Sequence, residues 1–221
     1  MNQYICINRT SSFKDEVERL LGAYKKEILP FFGVEDSSKF EFNVYIYNTI
    51  EDLVQGLKDR GFGEHPSYMC ACYKDLDNSI NLFEPKEEPA ENEWSREEYK
   101  KVIFHEEIHA IQSLIYGIQP EWLAEGVAKY LDGTYSRGIA WLLENYIIPQ
   151  EIPSMKELEC EFGFHDYDSY DYAYLMVSYL IETLGKEKFL VEIRDDKKVA
   201  ELSCGLVTRA IDYYKDKYQL G

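Results

Sequence analysis

Residues 105–109 read HEEIH, an instance of the H-E-x-x-H pattern, inside a segment of helical periodicity between Ser95 and Gly117. Four residues advance a helix by about 400°, so His105 and His109 should lie on one face, one turn apart. Their imidazoles can then both reach one zinc ion at about 2.0–2.1 Å. Glu106 should lie about 100° around the helix, close enough to accept a proton from a metal-bound water. The pattern therefore predicts a zinc site with Glu106 as the general base.

A catalytic zinc site needs a third protein ligand and an open fourth position. After a reversal at 117–120, the segment 121–130 reads EWLAEGVAKY and predicts a second helix that folds back on the first. Glu125 lies one and a half turns into this helix, and the neighbouring Gly126 and Ala128 are small enough to permit close approach. Glu121, one turn earlier, is the alternative ligand.

These two segments resemble a known family of enzymes. H-E-x-x-H at 105–109 followed by W-L-x-E-G-x-A at 122–128 is similar to the gluzincin metallopeptidases, and most similar to their small bacterial peptidase MA-like superfamily. The resemblance covers about 95–191 well and the earlier residues in outline. It implies zinc as the metal, His105, His109 and Glu125 as ligands, and Glu106 as general base. Larger gluzincins have an aspartate where this chain has Lys129, so the residues that orient the zinc ligands must differ here.

Peptide hydrolysis also needs a donor to the developing oxyanion, which related enzymes supply as a tyrosine or histidine. The candidates in this sequence are Tyr172, Tyr174 and His165. The similar group of enzymes tends to have a tyrosine before the small residue at this point, here Ala173. The resemblance therefore favours Tyr172 as a catalytic residue.

The chain as a whole predicts an α+β fold. Alternation of apolar and polar residues predicts a strand at 40–47, and the turn at 75–78 indicates two more strands at 68–73 and 79–83, with helices at 13–29 and 51–59. A proline-containing acidic segment at 84–93 marks the expected boundary between an α/β lobe, 1–94, and an all-helical lobe, 95–221. Helices are expected in the second lobe at about 95–117, 120–131, 136–146 and 169–184, with two or three short ones between 187 and 218. The resemblance implies a zincin-like catalytic domain with its active site in the cleft between the lobes. The strand at 68–73 or the one at 79–83 could line this cleft and pair with an extended peptide.

Charge and composition restrict the partners. The chain has 41 acidic and 24 basic residues and a formal net charge of −17. Such a chain should be repelled by nucleic-acid phosphates and anionic lipids, which argues against both as partners. No apolar run reaches the length of a membrane span, and no secretory signal is visible at the N-terminus. Five cysteines, an odd count, then favour reduced thiols and a cytoplasmic location, with Cys70 and Cys72 as packing residues.

The sequence thus predicts a zinc-dependent metallopeptidase that acts on a peptide or protein substrate. Two alternatives remain open at this point. One is a non-catalytic zincin fold that binds a metal or a protein partner. The other is a zinc hydrolase of a non-peptide amide, which would use the same metal chemistry.

Overall fold

The computed structural model describes residues 2–6, 12–63, 70–91, 93–161 and 169–220. The chain divides into two units, Met1–Ile115 and Tyr116–Gly221. The first contains the described strands together with three long helices, and the second is helical throughout its described residues. The fold is therefore α+β, with the strands confined to the first unit, as the sequence predicts.

The first unit contains a four-stranded sheet in the order β1-β2-β4-β3. Its strands are β1 Gln3–Cys6, β2 Asn43–Tyr47, β3 Ala71–Lys74 and β4 Ser79–Phe83. β1 and β4 both run parallel to β2, whereas β3 is antiparallel to β4. Because β4 lies between β2 and β3, β3 forms an edge of the sheet among the described residues.

Three helices pack with this sheet: α1 Ser12–Phe31, α2 Ile50–Asp59 and α3 Arg96–Tyr116. The first turn of α3 is closed by the predicted capping box, in which the Ser95 amide donates to Glu98 Oε2 at 3.1 Å and the Glu98 amide to Ser95 Oγ at 3.2 Å. The helix ends before Gly117, which has a φ of 74°. A left-handed residue of this kind commonly terminates a helix. The sequence therefore predicted both ends of the helix that carries the H-E-x-x-H motif.

The boundary between the units differs from the prediction. It lies after Ile115, not in the acidic segment 84–93, because α3 is part of the core around the sheet. Tyr99 is fully buried there, and its hydroxyl donates to the Cys70 carbonyl at 2.6 Å and accepts from the Phe83 amide at 3.0 Å. These two bonds connect α3 to β4 and to the residue that precedes β3, so a division at residue 94 would cut through one core.

Two other elements of the first unit differ from the sequence prediction. The strand predicted over 40–47 begins only at Asn43, because Ser37–Lys39 form a 3-10 helix that Asp36 caps. The helix predicted over 13–29 continues through Pro30 to Phe31. A proline in the last turn removes one backbone hydrogen bond without ending the helix at once, and the turn then closes through the Val34 amide to the Leu29 carbonyl at 3.0 Å.

The second unit contains seven α-helices among its described residues. They are α4 Glu121–Asp132, α5 Gly138–Leu142, α6 Met155–Glu161, α7 Ser169–Leu184, α8 Lys186–Glu192, α9 Asp196–Ser203 and α10 Leu206–Tyr218. The long helix α7 has the predicted bounds. The helix predicted over 136–146 is instead the short α5 followed by a π-helical turn at Leu143–Ile147. Within the described parts of the chain, no helix combines the length and apolarity that a membrane crossing requires.

Candidate metal centre

The two histidines of the motif meet on one face of α3, as their spacing predicts. The Nε2 atoms of His105 and His109 lie 3.0 Å apart, and the two rings make an angle of 81° with centroids 4.6 Å apart. Two nitrogen ligands of a tetrahedral zinc at 2.0–2.1 Å lie about 3.3 Å from each other. The two ring nitrogens therefore already converge on a point that fits a metal ion.

Glu106 lies beside this pair and is only 8% exposed. Its negative charge acts on the neighbouring sheet, where it contributes to raising the pKa of the Cys72 thiol. Burial is the main cause of that shift, and it raises the pKa of Cys72 to about 12. Cys72 is therefore a neutral thiol at physiological pH, and it packs with Cys70 against the core around the sheet. Both residues, and Cys204, are free thiols, in agreement with the predicted packing role of the first two.

The second glutamate of the motif, Glu107, points away from the histidine face and is completely buried. Neither of its carboxyl oxygens has a hydrogen-bond partner. Burial holds the pKa of Glu107 well above its ordinary value, and only the charge of Lys25 opposes this shift. Lys25 donates to the Phe40 carbonyl at 2.6 Å. The sequence pattern gave no indication of this buried carboxyl, because the motif leaves position 107 unspecified.

Glu125, the predicted third ligand, belongs to the second unit, on α4. His105, His109 and Glu125 are each half-buried, and each offers one ligand atom to a metal ion. Glu121 is in the first turn of the same helix, directly after Pro120. The pKa of Glu121 is raised by partial burial and, to a smaller extent, by the charge of Glu125.

The backbone of α4 is held close to α7 at Gly126. A Cβ at this position would lie 2.4 Å from Val177 Cγ2 and 2.5 Å from the Ala173 carbonyl oxygen. Neither neighbour can move away easily, because both are buried in α7 and one of the two atoms is backbone. The small residue next to Glu125 is thus required by close helix packing within the second unit.

Lys129 lies one turn after Glu125 on α4. Its ammonium lies 3.7 Å from Asp132 and 5.4 Å from the centre of the Tyr170 ring. The positive charge of Lys129 is therefore paired with the carboxylate of Asp132 on the same helix.

The predicted oxyanion donors differ in accessibility. Tyr172 lies in α7 and is only 1% exposed. Tyr174 is half-buried and stacks on Tyr135 with centroids 4.2 Å apart, and burial raises the pKa of its hydroxyl. His165 lies outside the described residues.

Comparison with known protein families identifies the superfamily of the chain. A model of the peptidase MA superfamily matches residues 36–202, so the chain belongs to that superfamily. The match includes the H-E-x-x-H helix, Glu125 and most of the second unit. Among curated proteins, none matched the sequence. Membership of the superfamily, together with side chains that could hold a metal, supports a peptidase-like hydrolase.

Proposed function

We propose that the protein is a zinc-dependent metallopeptidase that hydrolyses peptide bonds with a metal-activated water and Glu106 as general base. The observation that carries this proposal is the convergence of the His105 and His109 Nε2 atoms, 3.0 Å apart, beside the mostly buried Glu106. Superfamily membership makes peptide hydrolysis the expected use of such a site.

His105, His109 and Glu125 are the proposed zinc ligands. Two imidazole nitrogens and one carboxylate oxygen are a donor set that zinc prefers in hydrolases. Glu125 is favoured over Glu121 because its backbone is fixed in the middle of α4, where Gly126 packs against α7. Glu121 is in the first turn of that helix, where a carboxylate has a sufficient structural role in stabilising the helix dipole.

When bound, zinc polarises the scissile carbonyl and lowers the pKa of a water molecule to about 7. The carboxylate of Glu106 takes the proton of the attacking water and later delivers it to the leaving amine nitrogen. Since Glu106 is mostly shielded from solvent, competing water has little access to it. A hydroxyl donor, for which Tyr172 is our candidate, stabilises the oxyanion.

The substrate is a peptide or protein segment in an extended conformation. Of the two strands that the sequence suggested for pairing with it, β4 has neighbours on both sides. Among the described residues, β3 is at the edge of the sheet, where a strand can offer backbone groups to a further strand. We therefore assign substrate pairing to β3.

The test is metal reconstitution followed by a turnover assay. The metal-stripped protein, incubated with zinc at neutral pH and desalted, should retain about one zinc per chain by elemental analysis. It should cleave casein or members of a peptide library, and a chelator should abolish this cleavage until zinc is restored. Folded protein that takes up no zinc would refute the metal site. Protein that takes up zinc and cleaves no peptide would instead support the non-catalytic alternative or a different amide substrate.

A further inference from the structure

The second unit contains a pocket of about 450 Å³. It is formed by the end of α4, the turn that follows it, α5 with its π-helical extension, and the first residues of α7. The side chains that decide its chemistry are Lys129, Arg137, Trp141, Tyr146, Tyr170 and Asp171. No step of the proposed hydrolysis uses this pocket.

Arg137 provides the pocket with a positive charge. Its guanidinium carbon lies 4.6 Å from the centre of the Trp141 ring, and the residue is exposed. The structure gives Arg137 no ion pair with any residue in the described ranges. A guanidinium that stacks on an aromatic ring has its N–H groups in a plane parallel to that ring. Two of these groups can still bind one carboxylate.

The other charged groups of the pocket have partners of their own or are buried. Asp171 is 6% exposed and accepts a hydrogen bond from the Tyr135 hydroxyl, and Lys129 lies 3.7 Å from Asp132. Arg137 is therefore the exposed charged group of the pocket that is available to a ligand. Charge complementarity makes that ligand an anion.

Aromatic side chains form the apolar wall of the pocket. Trp141 and Tyr146 lie with ring centroids 5.1 Å apart, and Tyr146 and Tyr170 are 42% and 37% exposed. Such surfaces accept methylene groups or a planar peptide unit beside the charged group. An anionic group on an organic chain fits this wall better than a free inorganic ion.

The pocket begins one helical turn from the proposed metal ligand. Lys129 follows Glu125 by four residues on α4, so the two side chains emerge as neighbours on one face of the helix. We propose that this pocket is a carboxylate-binding subsite for the peptide substrate, with Arg137 as the residue that holds the carboxylate. The carboxylate comes either from a glutamate or aspartate side chain or from the C-terminus of the peptide. Its assignment to the substrate rests on the proposed peptidase function.

The test measures binding without cleavage. A zinc-loaded Glu106→Gln protein is titrated at about 0.15 M salt with four N-acetylated hexapeptides, which contain either Glu or Gln and end in either a free or an amidated C-terminus. Binding is followed by calorimetry and by the fluorescence of Trp141, with Trp141→Phe as the control for the signal. We expect a carboxylate-bearing peptide to bind at least about tenfold more tightly than the neutral one. The pair of peptides that differs identifies the source of the carboxylate.

Variants assign this preference to the pocket. Arg137→Ala should reduce the affinity for the carboxylate-bearing peptide to that of the neutral one, and Arg137→Lys should retain part of it because the charge remains without the planar fork. Arg209→Ala, which removes another cation that lies beside an aromatic ring in this unit, should change nothing. Equal affinity for all four peptides, no measurable binding, or an Arg137→Ala protein that binds like the parent would each overturn the subsite. The titration is repeated on metal-free protein, so that a failure of the zinc site can be distinguished from a failure of the pocket.

Discussion

The helices α3 and α4 supply the proposed metal ligands, and they are built in opposite ways. α3 buries two glutamates and a glutamine: Glu106 is 8% exposed, Glu107 is fully buried and Gln112 is 2% exposed. The buried residues of α4 are all apolar or glycine, and they include Trp122 and Gly126. α3 buries polar groups, which lowers the stability of the folded protein, whereas α4 is positioned by packing alone.

This difference suggests that the two helices have different roles in the proposed site. Burial of a carboxyl group is unfavourable, so the mostly buried Glu106 beside two converging imidazoles favours a chemical role for α3. The carboxylate proposed as a ligand from α4 has a position that depends on how closely the backbone can approach α7. Substitutions in α3 should therefore change chemistry and pH dependence, and substitutions in α4 should change placement.

The largest effect is expected at the ligands themselves. His109→Ala or Glu125→Ala should weaken zinc binding by orders of magnitude, because each removes one of the three proposed protein ligands. Glu121→Ala, the matched control on the same helix, should change zinc affinity little. Competition with a chromophoric chelator measures all three. Affinities in the reverse order for the two glutamates would make Glu121 the ligand and would contradict the gluzincin arrangement.

A smaller effect, on folding, is expected at two helical glycines. Gly126→Ala should lower the free energy of unfolding by about 1–3 kcal/mol, because the added methyl would overlap Val177 and the Ala173 carbonyl. The methyl added by Gly22→Ala, in α1, would have no atom within 4 Å. This substitution should raise the free energy of unfolding by about 0.5–1 kcal/mol through helix propensity. Urea unfolding of metal-free protein compares them. Equal effects of both substitutions would show that α4 is not held by close packing.

The smallest expected effect concerns Glu107. Its pKa in the folded protein is raised by burial, so the unfolded chain releases the proton first as the pH rises above about 4.5. The free energy of unfolding of the parent should therefore fall in this range relative to Glu107→Gln, which does not titrate. The stability of the variant relative to the parent should therefore increase with pH between about 4.5 and 7.5 in urea titrations of metal-free protein. Glu97→Gln on the exposed side of α3 serves as the control. If the stability of Glu107→Gln relative to the parent instead increased as the pH falls, Glu107 would be ionised in the folded protein.

Much of this fold could be predicted because its signals are local. The ends of α3 follow from the capping box of Ser95 and Glu98 and from Gly117, and the end of α7 follows from Gly185. The histidine pair could be predicted for the same reason, since a helix alone brings residues four apart together.

The features that sequence reasoning missed depend on contacts between distant residues. The boundary after Ile115 reflects hydrogen bonds of Tyr99 to β4 and to the residue that precedes β3, which no periodicity reveals. The burial of Glu107 beside Lys25 depends on how α1 packs with α3. The pocket around Arg137 lies where a π-helical turn interrupts the predicted helix, and no sequence pattern signals that turn.

The most direct test of the account is the turnover of Glu106→Gln with zinc bound. This substitution keeps the size of the side chain and leaves the His105 and His109 nitrogens in place, but it removes the proton acceptor. We expect zinc content equal to that of the wild-type protein and a kcat on a cleaved peptide that is lower by at least about a hundredfold. Zinc-loaded Glu106→Gln that hydrolyses the peptide at the wild-type rate would contradict the assignment of Glu106 as the general base, and with it the proposed mechanism.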